Sequence, residues 1–379
     1  MQPPAPGSPA TAAAAEAAAV ETTSGSPSVP AEAVTTPPPQ NPSEPATITT
    51  DVLAVEEADD IDDGDSALGE SDNASSTASV SSSVLQFRLE NGRTYHGYKE
   101  SIGYVLPNDR SEQERLDLQH NLFLLTLRGQ LYKSPIDEGS KPIRRCLDAG
   151  TGTGVWAMDF ADEHPEVEVL GIDVSPIQPN FVPPNVSFVV DDLEEEWNYN
   201  YKFDFIFARM LTGSISDWPR LFAQSFEFLE PGGWMECQDI SLPGHSDDGT
   251  LKDDSLTQEW ARNMLEAASR FGRYADSARH YKKQMQDAGF VNVTELIYKW
   301  PMNRWPADPH YKELGFWNNQ NMVNDLSGLS MALFNRGLGW SPEEIEVFLV
   351  KVRAEMNDRN IHTWWPIHVV YGQKPEDAV

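Results

Sequence analysis

From residue 142 onward, short apolar runs alternate with stretches of helical spacing, a rhythm that predicts strands and helices in turn. Ile143–Ala149, Val167–Asp173, Val186–Val190, Phe203–Arg209 and Gly233–Gln238 are expected strands, with helices at 154–162 and Trp218–Leu229. Strands connected this way imply a parallel, doubly wound sheet with helices on both faces. Beyond residue 255 the rhythm changes. Helical spacing covers 255–271 and 273–288, and a sixth strand is expected at Val291–Trp300. The seventh, Thr363–Tyr371, follows only after helical patterns at 309–335 and 342–357. An insertion of that length is a lid or a packing module rather than a loop. Its last helix has a marked start, with Ser341 as N-cap, Pro342 in the first turn and Glu344 closing a capping box.

Upstream of the sheet, Asn91-Gly92 between apolar flanks predicts a small hairpin. Ser111 and Glu114 have the spacing of a capping box, and Leu116, Phe123, Leu127 and Leu131 recur at helical spacing behind them. Composition then removes the first part of the chain from the fold. Residues 1–87 hold no Lys or Arg and carry −14 of the formal −31, and the first aromatic ring is Phe87. Such a segment cannot bury enough apolar area to offset its ordering entropy. The domain reading is therefore a disordered acidic Pro/Ala/Ser-rich tail over 1–85 and a globular domain over 86–379, with a helical cap at about 306–358. An N-terminus with no basic or apolar leader predicts no secretory signal, and no apolar run is long enough to span a membrane. Two cysteines make neither a disulfide framework nor a zinc site, and the acidic balance argues against binding nucleic-acid phosphates. The expected address is the cytoplasm or the nucleus.

The chemistry concentrates in Cys146-Leu147-Asp148-Ala149-Gly150-Thr151-Gly152-Thr153-Gly154, which follows an apolar strand and opens a helix. Glycines there allow a tight turn and a close approach of backbone to ligand. The dinucleotide fingerprint fails at Val155, and no Lys-Ser/Thr follows to make a phosphate loop. Asp148 would repel a pyrophosphate but suits an ammonium. Asp173, ending the second strand, can accept from both ribose hydroxyls. Asp192 can accept from an adenine amino group, with Leu193 lining the ring. A nucleoside with an amino-acid tail meets all these features, and S-adenosyl-L-methionine is the common cofactor of that kind.

These elements resemble a class I S-adenosylmethionine-dependent methyltransferase, and more closely the LaeA-like methyltransferases of fungal secondary metabolism. The narrower resemblance rests on Glu90-Asn91-Gly92-Arg93-Thr94-Tyr95-His96, Leu106-Pro107-Asn108-Asp109, Arg115-Leu116-Asp117, Gly171-Ile172-Asp173 and Pro231-Gly232-Gly233-Trp234, as well as on the glycine turn. It implies a seven-stranded Rossmann-like α/β sheet in the order 3-2-1-4-5-7-6, the last strand antiparallel, with the helical cap inserted before it. It also implies that Gly150, Gly152 and Gly154 pass the methionine part of the cofactor, that Asp173 holds the ribose and Asp192 with Leu193 the adenine, and that Tyr95 closes over the site.

Methyl transfer from a sulfonium is an in-line displacement with a neutral leaving group, so no acid and no triad is expected. A base is needed only when the acceptor must lose a proton. His245, on the loop after the fifth strand, is the candidate base, and Arg209 a candidate for binding an acidic substrate; Met210, Glu236 and Asp239 lie at the same end of the sheet. No metal-ligand spacing is present. Trp300, Trp305, Trp317, Trp340, Trp364 and Trp365 are read as packing between cap and sheet, with an aromatic acceptor pocket as the alternative. The reading is methyl transfer to a small metabolite or protein acceptor. The alternative is a cofactor-binding regulator that works through protein partners.

Overall fold

Strand β4 (Arg145–Ala149) lies at the middle of the sheet, and Cys146, Leu147, Asp148 and Ala149 are all buried, as a parallel strand covered on both faces requires. The computed structural model describes residues 47–49, 53–54, 87–98, 104–138 and 142–378. On one side of β4 come β5 (Glu168–Asp173) and β6 (Val186–Val190). On the other come β7 (Phe203–Arg209), β8 (Leu229–Ile240), β10 (Trp364–Gln373) and β9 (Val291–Pro301). Strand β10 runs antiparallel to both its neighbours, while β6, β5, β4, β7 and β8 pair in parallel. This is the expected order of seven.

An eighth strand, β1 (Thr47–Thr49), pairs in parallel with the outer edge of β9, Thr47 opposite Glu295 and Thr49 opposite Ile297. It lies inside the stretch assigned to a disordered tail. Three residues of Thr-Ile-Thr suit a sheet edge, and their pairing covers main-chain groups that β9 would otherwise present to solvent. Five residues on, the Ala54 carbonyl accepts from the amide of Ala307 at 2.9 Å, where the cap begins. The acidic run centred on Asp59–Asp63 and the rest of the tail lie outside the described residues.

Helix α2 (Val155–Glu163) packs Trp156 and Phe160 on one face of the sheet against Phe205 and Phe207, the Trp156 and Phe207 rings stacking at 3.7 Å. Helices α3 (Trp218–Phe228) and α5 (Tyr281–Asp287) cover the other face through Phe222, Tyr281 and Met285. Only 281–287 of the expected helix over 273–288 is α-helical; a short 3-10 turn, Ser277–His280, precedes it. Gly272, at a φ of 70°, ends the preceding helix α4 (Leu256–Arg270) and redirects the chain.

The hairpin forms as expected from β2 (Arg88–Glu90) and β3 (Arg93–Tyr95), with Asn91 and Gly92 both at positive φ. The start of α1 (Arg110–Thr126) differs from expectation. Its N-cap is Asp109, which accepts from the amide of Glu112, and Ser111 and Glu114 are exposed within the first turn. Asp109 wins because the same carboxylate also takes the Arg93 guanidinium, at 2.9 Å. The expected helix over 309–335 is broken. Helix α6 (Pro309–Val323) stops, α7 (Leu326–Ala332) follows, and a π turn completes the segment at Leu333–Leu338. The break frees Asp325 to accept from Arg93 at 2.6 Å. A Cβ on Gly328 would sit 2.2 Å from the Arg93 Nη1, so only glycine admits that approach. Helix α8 (Pro342–Met356) has the full capping box at Ser341 and Glu344. Trp300 and Trp365, fully buried, seat the cap on the sheet.

Candidate active site

The site lies at the carboxyl ends of β4, β5, β6 and β7. After Ala149 the chain turns through Gly150, Gly152 and Gly154, at φ values of 77°, 57° and 81°. The amides of Gly150 and Thr151 both donate to the Ile172 carbonyl at 2.8 Å, tying the turn to the end of β5. A Cβ on Gly150 would meet Leu211 at 2.4 Å, and one on Gly154 the Phe188 ring at 2.4 Å. Both positions thus need glycine for φ and for space.

Two carboxylates brace this turn. Asp148 is 2 % exposed beneath it and accepts from the Thr151 hydroxyl at 2.6 Å. Burial pushes its carboxyl up to about 6, although Thr151 and the charge of Arg209 pull it down. Asp173 accepts from the Gly152 amide and from the Ser175 amide, both at 2.9 Å, and burial raises it to about 6 as well. Thr153 donates to Asp117 of α1 at 2.7 Å, which fixes the turn from outside.

Gly150, Asp173, Asp192 and Leu193 line one cavity together with Asp191, Leu211, Ser214, Ile215 and Tyr104. Four expected cofactor residues from separate elements therefore share one space. Asp148, Gly152 and Gly154 do not line it; Asp148 is tied to the turn through Thr151, and Gly152 to Asp173. Tyr95 lies off the cavity. It is buried in the core between hairpin and cap, with the Arg336 guanidinium 4.9 Å from its ring centroid, because the ion pair of Arg336 with Glu90 draws the hairpin onto the cap. The aromatic ring that does line the cavity is Tyr104, which sequence reasoning missed. Its only local signal is a ring shortly before Leu106-Pro107-Asn108-Asp109.

Arg209 donates to His120 Nδ1 at 3.0 Å, and His120 Nε2 meets Asp159 at 2.9 Å. Its guanidinium lies 5.0 Å from the Phe123 ring centroid, and burial lowers its pKa to about 10. It does not line the cavity. His245 is exposed, bridges Trp364 through the main chain at 2.8 Å and stacks on its indole, also away from the cavity. Glu236 accepts from the amides of Lys133 and Ser134 and anchors that loop. Asp239 accepts from the amides of Leu211 and Thr212 and from Tyr281, so it holds the segment after β7 in place; burial raises it to about 7.

A second cavity, of about 150 Å³, adjoins the first, with Tyr104 in the wall of both. It lies between α1, the segment after β7 and the cap. Met322, Leu329 and Leu333 form its cap side, Trp260 and Met264 of α4 the wall beside it, and Glu112, Arg115, Gln119 and Asn321 a polar end. None of the six tryptophans singled out from the sequence lines it; Trp260 does. Among the described residues no cluster of metal-ligating side chains occurs, and no helix is long and apolar enough to cross a membrane.

The methyltransferase-domain model matches residues 111–295. The methyltransferase pytC of Aspergillus terreus is 42 % identical over 305 residues, 80 % of this chain and 93 % of that protein. The chain belongs to the family of LaeA-like methyltransferases. The probable methyltransferase tdiE of Emericella nidulans is 41 % identical over 70 % of this chain and 82 % of its own length. The protein-methionine methyltransferase laeA of the same organism is 35 % identical over 76 % and 77 %. The N-terminal motifs that narrow the family now have a physical reading in this methyltransferase. Arg93 forks between Asp109 and Asp325, Thr94 donates to Asn108 at 2.9 Å, and Arg115 joins Glu112 of its own helix to Asn321 of the cap. They are the bolts between hairpin, α1 and cap.

Proposed function

We propose that this methyltransferase binds S-adenosylmethionine over the Gly150–Gly154 turn and transfers its methyl group to a small metabolite of fungal secondary metabolism. The observation that carries the reading is the convergence of Gly150, Asp173, Asp192 and Leu193 on one cavity. Asp173 would hold the ribose hydroxyls, Asp192 and Leu193 the adenine, and buried Asp148 would supply negative charge beneath the α-ammonium. The donor set fits such a ligand: carboxylates raised by burial gain from an arriving cation. When bound, the cofactor supplies an electrophilic sulfonium methyl. The chain's own part is to align the acceptor and exclude water, and the cap over the second cavity is suited to both.

The first cavity, at about 60 Å³, is smaller than a nucleoside, so binding requires some of its lining side chains to move. Isothermal titration with S-adenosylhomocysteine tests the reading. Binding by the full chain, and its loss in Asp173→Asn with the fold retained, is the expected result. No heat change with folded wild-type protein would overturn it.

A second reading is favoured by relatives described as regulators, such as the secondary metabolism regulator LAE1 of Cochliobolus heterostrophus, 36 % identical over 76 % of this chain. In it the chain works through protein partners. Asp148→Asn and Asp173→Asn separate the two: a regulator that needs no cofactor keeps its output in both.

A further inference from the structure

We infer that the second cavity is the acceptor site and that it takes a neutral, largely apolar molecule presenting a ring of about benzene size and a hydrogen-bond-accepting oxygen. The inference rests on the cofactor reading above and narrows its acceptor. Three observations support it. First, position: Tyr104 walls both cavities and the segment after β7 lines both, so a molecule held in the second lies one side chain away from the first. Second, size and lining: the cavity measures about 150 Å³ and its walls are mostly apolar, among them Trp260, Met264, Met322 and Leu333. A dry apolar cavity of that volume holds roughly one benzene ring. A peptide backbone is a poor guest, because the N–H and C=O groups of even a short segment would outnumber the few polar side chains of these walls, Thr212, Gln119 and the rest of the polar end.

Third, charge: the polar end is already neutral. The Arg115 Nε and Nη2 donate to the two oxygens of Glu112 at 2.8 and 2.6 Å, and its Nη1 donates to Asn321 at 3.0 Å. Both members of the pair are buried, at 8 % and 2 % exposed. An anionic guest would have to displace Glu112 from the guanidinium, and a cationic guest would find Glu112 already matched. A guanidinium carries five N–H groups. Two of Arg115's are left after these bonds, the right complement for a carbonyl, hydroxyl or ether oxygen on an uncharged ring.

The test is a titration of the full chain with three probes of one ring size, 4-methylphenol, benzoate and benzylamine, read by saturation-transfer NMR. The phenol is expected to bind at least about tenfold better than either ion, the margin an unpaired buried charge imposes. Equal binding of all three, or binding of an ion alone, overturns the inference. Glu112→Gln leaves Arg115 uncompensated and should turn the preference toward benzoate; an unchanged preference in the folded variant also overturns it. The wild-type series decides the matter if that variant does not fold. S-adenosylhomocysteine binding is measured in parallel. If it binds and no ring probe does, this inference fails and the cofactor reading stands; if it does not bind, the cofactor reading fails while the probe series still judges the cavity. Labelled methyl recovered from an extract only in polypeptide, and not in low-mass organic material, overturns the inference as well.

Discussion

The glycine-turn end of the sheet and the hairpin–cap assembly are held by different kinds of bond. At the turn, main-chain amides of Gly150, Thr151 and Gly152 meet an adjacent strand or its terminal carboxylate. In the hairpin–cap assembly, side-chain ion pairs join residues far apart in the chain: Arg93 with Asp325, and Arg336 with Glu90. The first arrangement positions backbone within tight limits and has no room for a Cβ at Gly150 or Gly154. The second can be loosened by charge and salt, and its cap helices carry part of the wall of the cavity proposed for the acceptor. Precision resides on the cofactor side and adjustability on the acceptor side.

The comparison breaks most sharply at Gly154. A methyl group there meets Phe188 at 2.4 Å on a residue at φ 81°, so Gly154→Ala should cost about 3 kcal/mol and abolish cofactor binding. Urea unfolding followed by circular dichroism gives the first quantity and titration the second; a variant as stable as wild type would show that the turn is not tightly packed.

Next comes Arg93→Met, which strands two part-buried carboxylates. A loss of about 2 kcal/mol is expected, smaller than for a fully buried pair. Hydrogen exchange should quicken in the hairpin and α7 while β4 and β5 stay protected; uniform loss of protection would deny that the two regions are separable.

Acid should act on the two regions in opposite directions. Burial raises Asp148 and Asp173 to about 6, so between about pH 4 and pH 6 the folded chain holds more protons than the unfolded one at these sites. Their contribution to stability therefore falls as pH rises through that window. Affinity for S-adenosylhomocysteine, whose ammonium needs ionised Asp148 and whose ribose hydroxyls need ionised Asp173, should run the other way, weakening at least about tenfold from pH 7.5 to pH 5. In the hairpin–cap region, burial pushes Asp109 up but the Arg93 guanidinium together with the amides of Glu112 and Thr94 more than offsets it, and the Arg336 guanidinium holds Glu90 down. That support is present above the ordinary carboxylate range and is lost as pH falls through the lowered values. Calorimetry at a series of pH values checks both limbs, and parallel trends would sink the contrast.

The smallest effect is expected for Glu90→Gln. It removes two pairs near the surface, with Arg336 and with Arg88, worth together about 1 kcal/mol, and half a molar salt should erase most of the difference between variant and wild type.

What was legible in the sequence follows the same division. The hairpin at Asn91-Gly92, the capping box at Ser341 and Glu344, and the strand–turn–helix at Gly150–Gly154 depend on neighbours within a few residues, and all three formed as read. The N-cap of α1 was not legible. Ser111 and Asp109 are both good caps by local rules, and the choice fell to the residue that Arg93 could reach. The break after Val323 has the same cause, with Asp325 drawn out of the helix by that guanidinium. Tyr104 went unnoticed because nothing local marks it; it matters through the neighbours that folding brings to it.

The sequence by itself determined the sheet, its strand order by resemblance, the glycine turn and its two acidic residues, because strand periodicity, turn geometry and helix starts are short-range properties of the backbone. The tertiary structure alone decided that Thr47–Thr49 extends the sheet, that Tyr95 faces the cap while Tyr104 faces the cavity, and that Arg115 is neutralised by Glu112 at the polar end of an apolar space. Those outcomes depend on which distant groups arrive together. Burial then sets the strength of each charge and each contact, and burial is a property of the packed molecule and not of any stretch of its chain.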